Sequence, residues 1–170
     1  MRTEPIRTRR LDLLPLRVAH AAEMADVLSD PVLYAFIGGA PPGEEELRAR
    51  YVRLTAGAPD PEVTWCNWVL QLRATTALVG TVQATLTSAP DRTPTAEIAW
   101  IVGAPWQGRG LAVEAARALV AALDAAGVRT VLAHVHPDHH ASAAVAAAAG
   151  LRPTDAWQDG EVRWSRVRPG

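Results

Sequence analysis

Three strand-like runs, Thr64–Leu72, 77–86 and 95–102, follow one another through residues 73–76 and a Pro-containing loop over 88–94. They are rich in Trp, Val, Thr and Ile. A parallel pair needs a crossover of a dozen or more residues, so the three runs are antiparallel neighbours in one sheet. The last of them leads into Gln107-Gly108-Arg109-Gly110-Leu111-Ala112, which opens the clearest helix of the chain, predicted over 110–126. Glu114, Arg117 and Asp124 form one polar stripe on that helix, and Gly127 is placed to end it. A sheet built first and then a glycine turn into a long amphipathic helix excludes an all-helical fold and a purely parallel one.

The rest of the chain alternates strand and helix in the same way. Leu11, Leu13 and Pro15 alternate with their neighbours over 11–16, a first strand. Ala21, Met24, Ala25, Val27 and Leu28 have helical spacing over 18–29, a run that stops before Asp30-Pro31. The segment 43–55 opens with Glu44-Glu45-Glu46 and closes with Arg48, Arg50 and Arg53, the charge order that suits a helix dipole. Its Leu47, Tyr51 and Leu54 share a face, and Glu46 pairs with Arg50 one turn on. After the long helix come a strand over 128–136, a short helix over 139–149 stopped by Gly150, and a final strand pair, 151–154 and Glu161–Val167. The 170 residues, 49% hydrophobic and 21% charged, suffice for one core. The expectation is one α/β (α+β) domain over 1–170. Its mixed, mostly antiparallel central sheet has about seven strands and is flanked by about four helices.

Charge and cysteine content narrow the function classes. Seventeen basic and 18 acidic residues leave a net charge of −1, which supplies no field to recruit nucleic acid or an anionic membrane. The longest nearly uncharged apolar stretch, 141–151, is about half the roughly 20 residues that a membrane span needs. Met1-Arg2-Thr3-Glu4-Pro5 has arginine and proline where a secretory signal has an apolar core, so a cytoplasmic location is expected. The single cysteine, Cys66, permits neither an internal disulfide nor a cysteine zinc cage. All the basic residues are arginine, a composition bias and not a functional signal.

The chemistry is concentrated at 107–112. Small residues at 108, 110 and 112 let backbone N–H groups approach a ligand without Cβ obstruction, and the following helix adds partial positive charge, so a phosphate or pyrophosphate is the expected guest. Two common nucleotide motifs do not fit. A dinucleotide fingerprint needs Gly or Ala at 113, which is Val113, and a P-loop needs a lysine, which the chain lacks. On these residues alone, a plain tight turn competes with a phosphate cradle.

The same hexapeptide resembles the Gln/Arg-x-x-Gly-x-Gly/Ala motif of the GNAT N-acetyltransferases. Its context fits as well: Thr95-Ala96-Glu97-Ile98-Ala99-Trp100-Ile101-Val102 before it and an amphipathic helix after it. Pro137-Asp138-His139-His140-Ala141-Ser142, followed by Ala149-Gly150-Leu151, is similar to that family's Pro-Glu-Asn-x-x-Ser and Ala-Gly-Phe segments. With Thr8-Arg9-Arg10-Leu11 at the start, the resemblance is greatest to the branch containing the ribosomal-protein N-terminal acetyltransferases. It covers nearly the whole chain.

The resemblance implies acetyl-CoA as acyl donor and no metal. Backbone N–H groups of Gln107, Gly108, Arg109, Gly110, Leu111 and Ala112 would hold the pyrophosphate. The backbone of Ile101 and Val102 would pair with the pantetheine arm where two strands splay apart. His139 stands where the family usually has the asparagine that touches the cofactor near its thiol. Glu97 would act as general base toward the acceptor ammonium, against a purely structural carboxylate. Ser142 would protonate the departing thiolate, against a capping role; the tyrosine that many relatives use is replaced here by Ala146. His134 and His136 share a strand face and are expected to line or border the sheet, a metal site being the weaker alternative for want of a completing ligand. Cys66 is expected to be an inert buried thiol.

The expected function is therefore direct, sequential transfer of acetyl from acetyl-CoA to a primary amine. The acceptor would be an amine-bearing small molecule or a protein N-terminus, entering past residues 36–42 and the final strand pair. The alternative is a non-catalytic acyl-CoA-binding or regulatory module of the same fold. The family resemblance also brings a homodimer into view.

Overall fold

Alternation along the strands sends side chains to two separate helical layers. On β5 (Pro94–Val102), Ala96, Ile98 and Val102 join a core formed with α3 (Leu111–Ala125) and α4 (His140–Ala148), while Ile101 packs on the opposite face. That second face is covered by α1 (Ala21–Val27) and α2 (Glu44–Ala56), whose Met24, Val27, Leu47 and Tyr51 meet Val69 and Leu78. The first core is the larger and holds Trp68, Leu119 and Leu123, each essentially free of solvent contact. The structure, a computed structural model, describes residues 1–88 and 92–168. Residues 89–91 of the loop expected over 88–94 lie outside the described residues.

The remaining strands are β1 (Ile6–Arg7), β2 (Leu11–Pro15), β3 (Thr64–Leu72), β4 (Leu78–Ser88), β6 (Thr130–Val135), β7 (Arg152–Gln158) and β8 (Glu161–Val167). They form one sheet in the order β1-β2-β3-β4-β5-β6-β8-β7, antiparallel throughout except for the pair β5–β6. The mixed α/β domain and its four α-helices follow the expected order. The eighth strand is the addition: Ile6–Arg7 pairs with Leu13 and Asp12, a ladder of two residues that is too short to show a period in sequence. The helix expected over 18–29 is a 3-10 turn, Val18–His20, followed by α1. The N–H of Arg17 donates to His20 Nδ1 at 3.0 Å and sets the break. β7 runs past 154 to Gln158 because a bulge between Pro153 and Trp157 absorbs a stretch with no alternation.

The parallel pair positions the site. β5 and β6 are joined only through Thr95–Thr130, Ala96–Val131 and Glu97–Leu132. Beyond Glu97, β5 continues along β4 to Val102, while β6 continues along β8 to Val135, and the sheet forks. Gly80 on β4 makes room for the backbone at the end of β5. A Cβ at that glycine would lie 2.2 Å from the Ile101 carbonyl oxygen, a distance no side chain tolerates. The end of β5 is tied to β4 by the N–H of Gly103, which donates to the Val79 carbonyl at 2.8 Å.

Candidate active site

The fork opens into a cavity of about 480 Å³. One wall is β5 from Ile98 to Val102, the other is His134, Val135 and His136 with Ser142 and Val145 of α4, and the glycine turn before α3 closes one end. A second cavity of about 270 Å³ lies under α1 and α2, and Ile37, Ala99, Trp100 and Ile101 line both.

At the glycine turn, Gly108 and Gly110 have φ of +74° and +75°, the left-handed region that costs an L side chain roughly 1–2 kcal/mol. Gly110 is the N-cap of α3 and offers no side chain, so the first N–H groups of the helix, Leu111, Ala112 and Val113, have no acceptor among the described residues. A Cβ on Gly108 would meet nothing within 4 Å, whereas one on Gly110 would rest 3.5 Å from the Arg10 guanidinium. The need for glycine at 110 is thus a need for its backbone angle. Gln107 donates its side-chain amide to the Val102 carbonyl at 3.0 Å, tying the turn to the end of β5.

The turn is also fixed from the N-terminal segment. Arg10 Nη1 donates to the Arg109 carbonyl at 2.8 Å and Arg10 Nε to Glu114 Oε2 at 2.7 Å. The Thr8 hydroxyl and the Arg10 N–H both donate to Glu114 Oε1, at 2.6 and 2.7 Å. Burial would raise the Glu114 carboxyl, but the bonds from Thr8 and Arg10 and the Arg10 charge hold it below the usual range.

Glu97 lies on β5 one step before the fork, with its carboxylate half exposed. His134, on β6, donates Nδ1–H to Glu97 Oε1 at 2.7 Å, while Arg163 Nε, a donor only, bonds His134 Nε2 at 3.2 Å. These two partners dictate the tautomer: Nδ1 carries the proton and Nε2 accepts. His134 lines the larger cavity, and Glu97 stands just outside the lining of both. His134 therefore does more than border the sheet: it holds the Glu97 carboxylate.

Ser142, in the first turn of α4, accepts the Trp100 indole N–H on Oγ at 3.2 Å, which leaves its own hydroxyl hydrogen to point elsewhere. The cap of α4 comes instead from His139, whose Nδ1 accepts the Ser142 N–H at 3.4 Å. Phe36 reaches across to stack on the His139 ring at 4.6 Å and lies 5.2 Å from His136, so residues beyond the Pro31–Tyr34 turn close over the fork. Burial first, then the neighbouring His136, lowers the His139 pKa, keeping the ring a neutral acceptor. Cys66 is buried. Among the described residues no three His, Cys, Asp or Glu side chains converge as metal ligands.

The cavity therefore gathers Ile101, Val102, Gln107, Gly108, Gly110, Leu111, Ala112, His139 and Ser142 around one opening, with Glu97 beside it, whereas Arg109 does not line it and turns its guanidinium to the Pro105 carbonyl at 3.2 Å. Sequence reasoning missed Arg10, Glu114, Arg163 and the role of His134. Thr8-Arg9-Arg10 was visible only as a resemblance, and a parallel register joining Glu97 to a strand far along the chain leaves no local trace.

Residues 10–152 match the family model described as an acetyltransferase (GNAT) domain. The chain belongs to the GNAT acetyltransferase family. None of the curated proteins matches this GNAT chain. Among solved structures, an acetyltransferase from Thermus thermophilus is 26% identical, covering 94% of this chain and 97% of its own, with a TM-score of 0.73. A GNAT acetyltransferase from Bacillus anthracis is 18% identical over 96% of this chain and 98% of its own, with a TM-score of 0.75. The ribosomal L7/L12 α-N-protein acetyltransferase RimL, solved with coenzyme A, is 16% identical over 96% of this chain and 98% of its own, with a TM-score of 0.76. At this identity the likeness to RimL is one of fold. No described helix is long and apolar enough to cross a membrane.

Proposed function

We propose that the protein transfers the acetyl group of acetyl-CoA directly to a primary amine, both substrates being bound together, in the cytoplasm. One observation carries this: the β5–β6 fork ends on a positive-φ glycine turn whose first helix N–H groups have no acceptor among the described residues. Such a turn fits a pyrophosphate, and the open backbone edge beyond Glu97 fits an extended amide chain.

Acetyl-CoA, when bound, supplies an activated thioester. The N–H groups of the 107–112 turn hold its phosphates, with Arg10 and Glu114 fixing the turn. The β5 edge at Ile101 and Val102 aligns the pantetheine arm, and the N–H near Val102 stabilises the developing oxyanion. Glu97, oriented by His134, takes the proton of the acceptor ammonium through water, since its carboxylate stands just outside the cavity walls. Ser142, its oxygen already occupied by Trp100, donates its free hydrogen toward the leaving sulfur, which His139 flanks. The acceptor is a small-molecule amine or a protein N-terminus; the name of RimL specifies a ribosomal-protein α-amine.

The deciding experiment is thermal unfolding with rising acetyl-CoA, beside CoA, NADH and ATP. Near 100 times the dissociation constant, binding adds about 2.7 kcal/mol, or roughly 5–10 °C for a domain of this size. A saturable rise with acetyl-CoA and CoA alone is expected. No rise at millimolar acetyl-CoA removes the proposal.

A further inference from the structure

Helix α4 starts on a cap that a proton can remove. The side chains that helices favour at this position, Ser, Thr, Asp and Asn, accept through an oxygen. His139 accepts through Nδ1 instead, from the Ser142 N–H at 3.4 Å, and that N–H has no other acceptor among the described residues. A ring nitrogen accepts only while it carries no hydrogen, so the bond requires the neutral tautomer with its proton on Nε2. A second proton on the ring sets two N–H groups against each other, and the cap is lost.

The loss reaches the reacting end of the cavity. Ser142 is the third residue of α4, and its Oγ takes the Trp100 indole N–H at 3.2 Å, so the first turn of the helix decides where its hydroxyl points. Phe36 covers the ring by stacking on it at 4.6 Å.

The surroundings favour the uncharged ring. Burial is the largest influence; His136 at the end of the cavity wall and His140, next on α4, act in the same sense, and Glu161 of β8 opposes them. Asp138 pairs with His136 at 3.9 Å, and Phe36 brings no charge. The ring therefore takes up its second proton below the ordinary histidine range.

We infer that His139 is a positioning residue whose uncharged ring, by capping α4, sets the Ser142 hydroxyl at the reacting end, so that a proton on the ring lowers turnover. Its effect on turnover rests on the proposed acetyl transfer, whereas its effect on α4 does not.

The test compares the parent protein with His139→Asn, which keeps a side-chain acceptor at the N-cap and has nothing to titrate, and with His139→Ala, which lacks the acceptor at every pH. Two quantities are read from about pH 5 to about pH 8, a span that brackets the ordinary histidine value. One is release of the CoA thiol from acetyl-CoA with a primary amine. The other is protection of the Ser142 amide against hydrogen exchange, corrected for the intrinsic rate at each pH. Glu97 and the amine ionise alike in parent and variant, so the ratio of parent turnover to His139→Asn turnover isolates the ring.

That ratio is expected to be level near pH 8 and to fall about fivefold or more by about pH 5, the order of one lost cap. Ser142 protection should fall with it in the parent, hold in His139→Asn, and be low throughout in His139→Ala. A ratio independent of pH, or Ser142 protection as steady in the parent as in His139→Asn, overturns the inference. A falling ratio with unchanged protection overturns it too, since the ring would then act without the cap. Protection lost in acid by the parent alone, with no thiol release at any pH, upholds the cap and removes acetyl transfer.

Discussion

His134 holds Glu97 by giving it a proton-bearing nitrogen, and Arg163 ensures which nitrogen that is. A glutamine at 97 can accept the same bond through its amide oxygen, so Glu97→Gln changes the basicity of the site with little change in its shape. The expected result is a fall in turnover of about 100-fold or more with acetyl-CoA affinity preserved, measured by steady-state thiol release and calorimetry. Unchanged turnover would assign Glu97 a structural role, and absence of turnover in the parent protein would return the non-catalytic alternative. At this scale the sequence was informative where a motif is local: Gly108, Gly110 and Glu97 stand out by their neighbours. It was silent on His134 and Arg163, because each depends on what a distant segment brings near. Ser142 shows an intermediate case. Its position at the start of a helix suggested a cap, but His139 takes the capping bond and frees the hydroxyl for Trp100.

The polar stripe of α3 reads in sequence as a solvated helix face, yet each member fastens another element. Glu114 binds Thr8 and Arg10, Arg117 Nε donates to the Ala148 carbonyl of α4 at 2.8 Å, and Asp124 takes a two-pronged bond from Arg166 of β8 at 2.8 Å on both arms. Helical period reveals which residues avoid the core, and it carries no information about what they reach. The Glu114 anchor secures both the first strand and the glycine turn. Glu114→Ala removes three hydrogen bonds, one of them the ion pair with a partly exposed arginine, and is expected to cost roughly 2 kcal/mol, or about 4–8 °C in melting temperature. Because Arg10 also steadies the Arg109 carbonyl, acetyl-CoA affinity should fall with it. A stability loss with unchanged affinity would show the turn to be rigid on its own. Strands and helices with clear periods were legible, whereas β1 and the far half of β7 were not, being respectively too short and too irregular to alternate.

For the molecule as a whole, ionisation sets limits at both ends of the pH scale. Burial, then the Arg17 charge, lowers the His20 pKa below 6.5, with Glu23 acting weakly in the opposite sense. The unfolded chain then takes up the proton first as pH falls, so stability is full above about 6.5 and declines below it. Asp124, held low by the Arg166 hydrogen bonds, and Glu114 add a second loss beneath the ordinary carboxylate range. In alkali the sign reverses in its cause: Tyr51 keeps its proton in the fold up to about 12 while the unfolded chain releases it near 10, so stability falls between those values. Melting temperature against pH should show a plateau from about 7 to 10, and His20→Gln should lessen the first acid decline, to which His139 also contributes, while leaving the carboxylate one. A decline of unchanged slope in His20→Gln would locate that titration elsewhere.

Gly80 lines neither cavity, yet the backbone of β5 occupies the space where its side chain would be. The contour of the forked cleft is thus written partly on a neighbouring strand, in a residue whose contribution is an absence. A search for determinants of this chemistry confined to contact distance of the substrates would pass it by. A lineage could reshape the cleft by one change there without altering any group that meets a ligand.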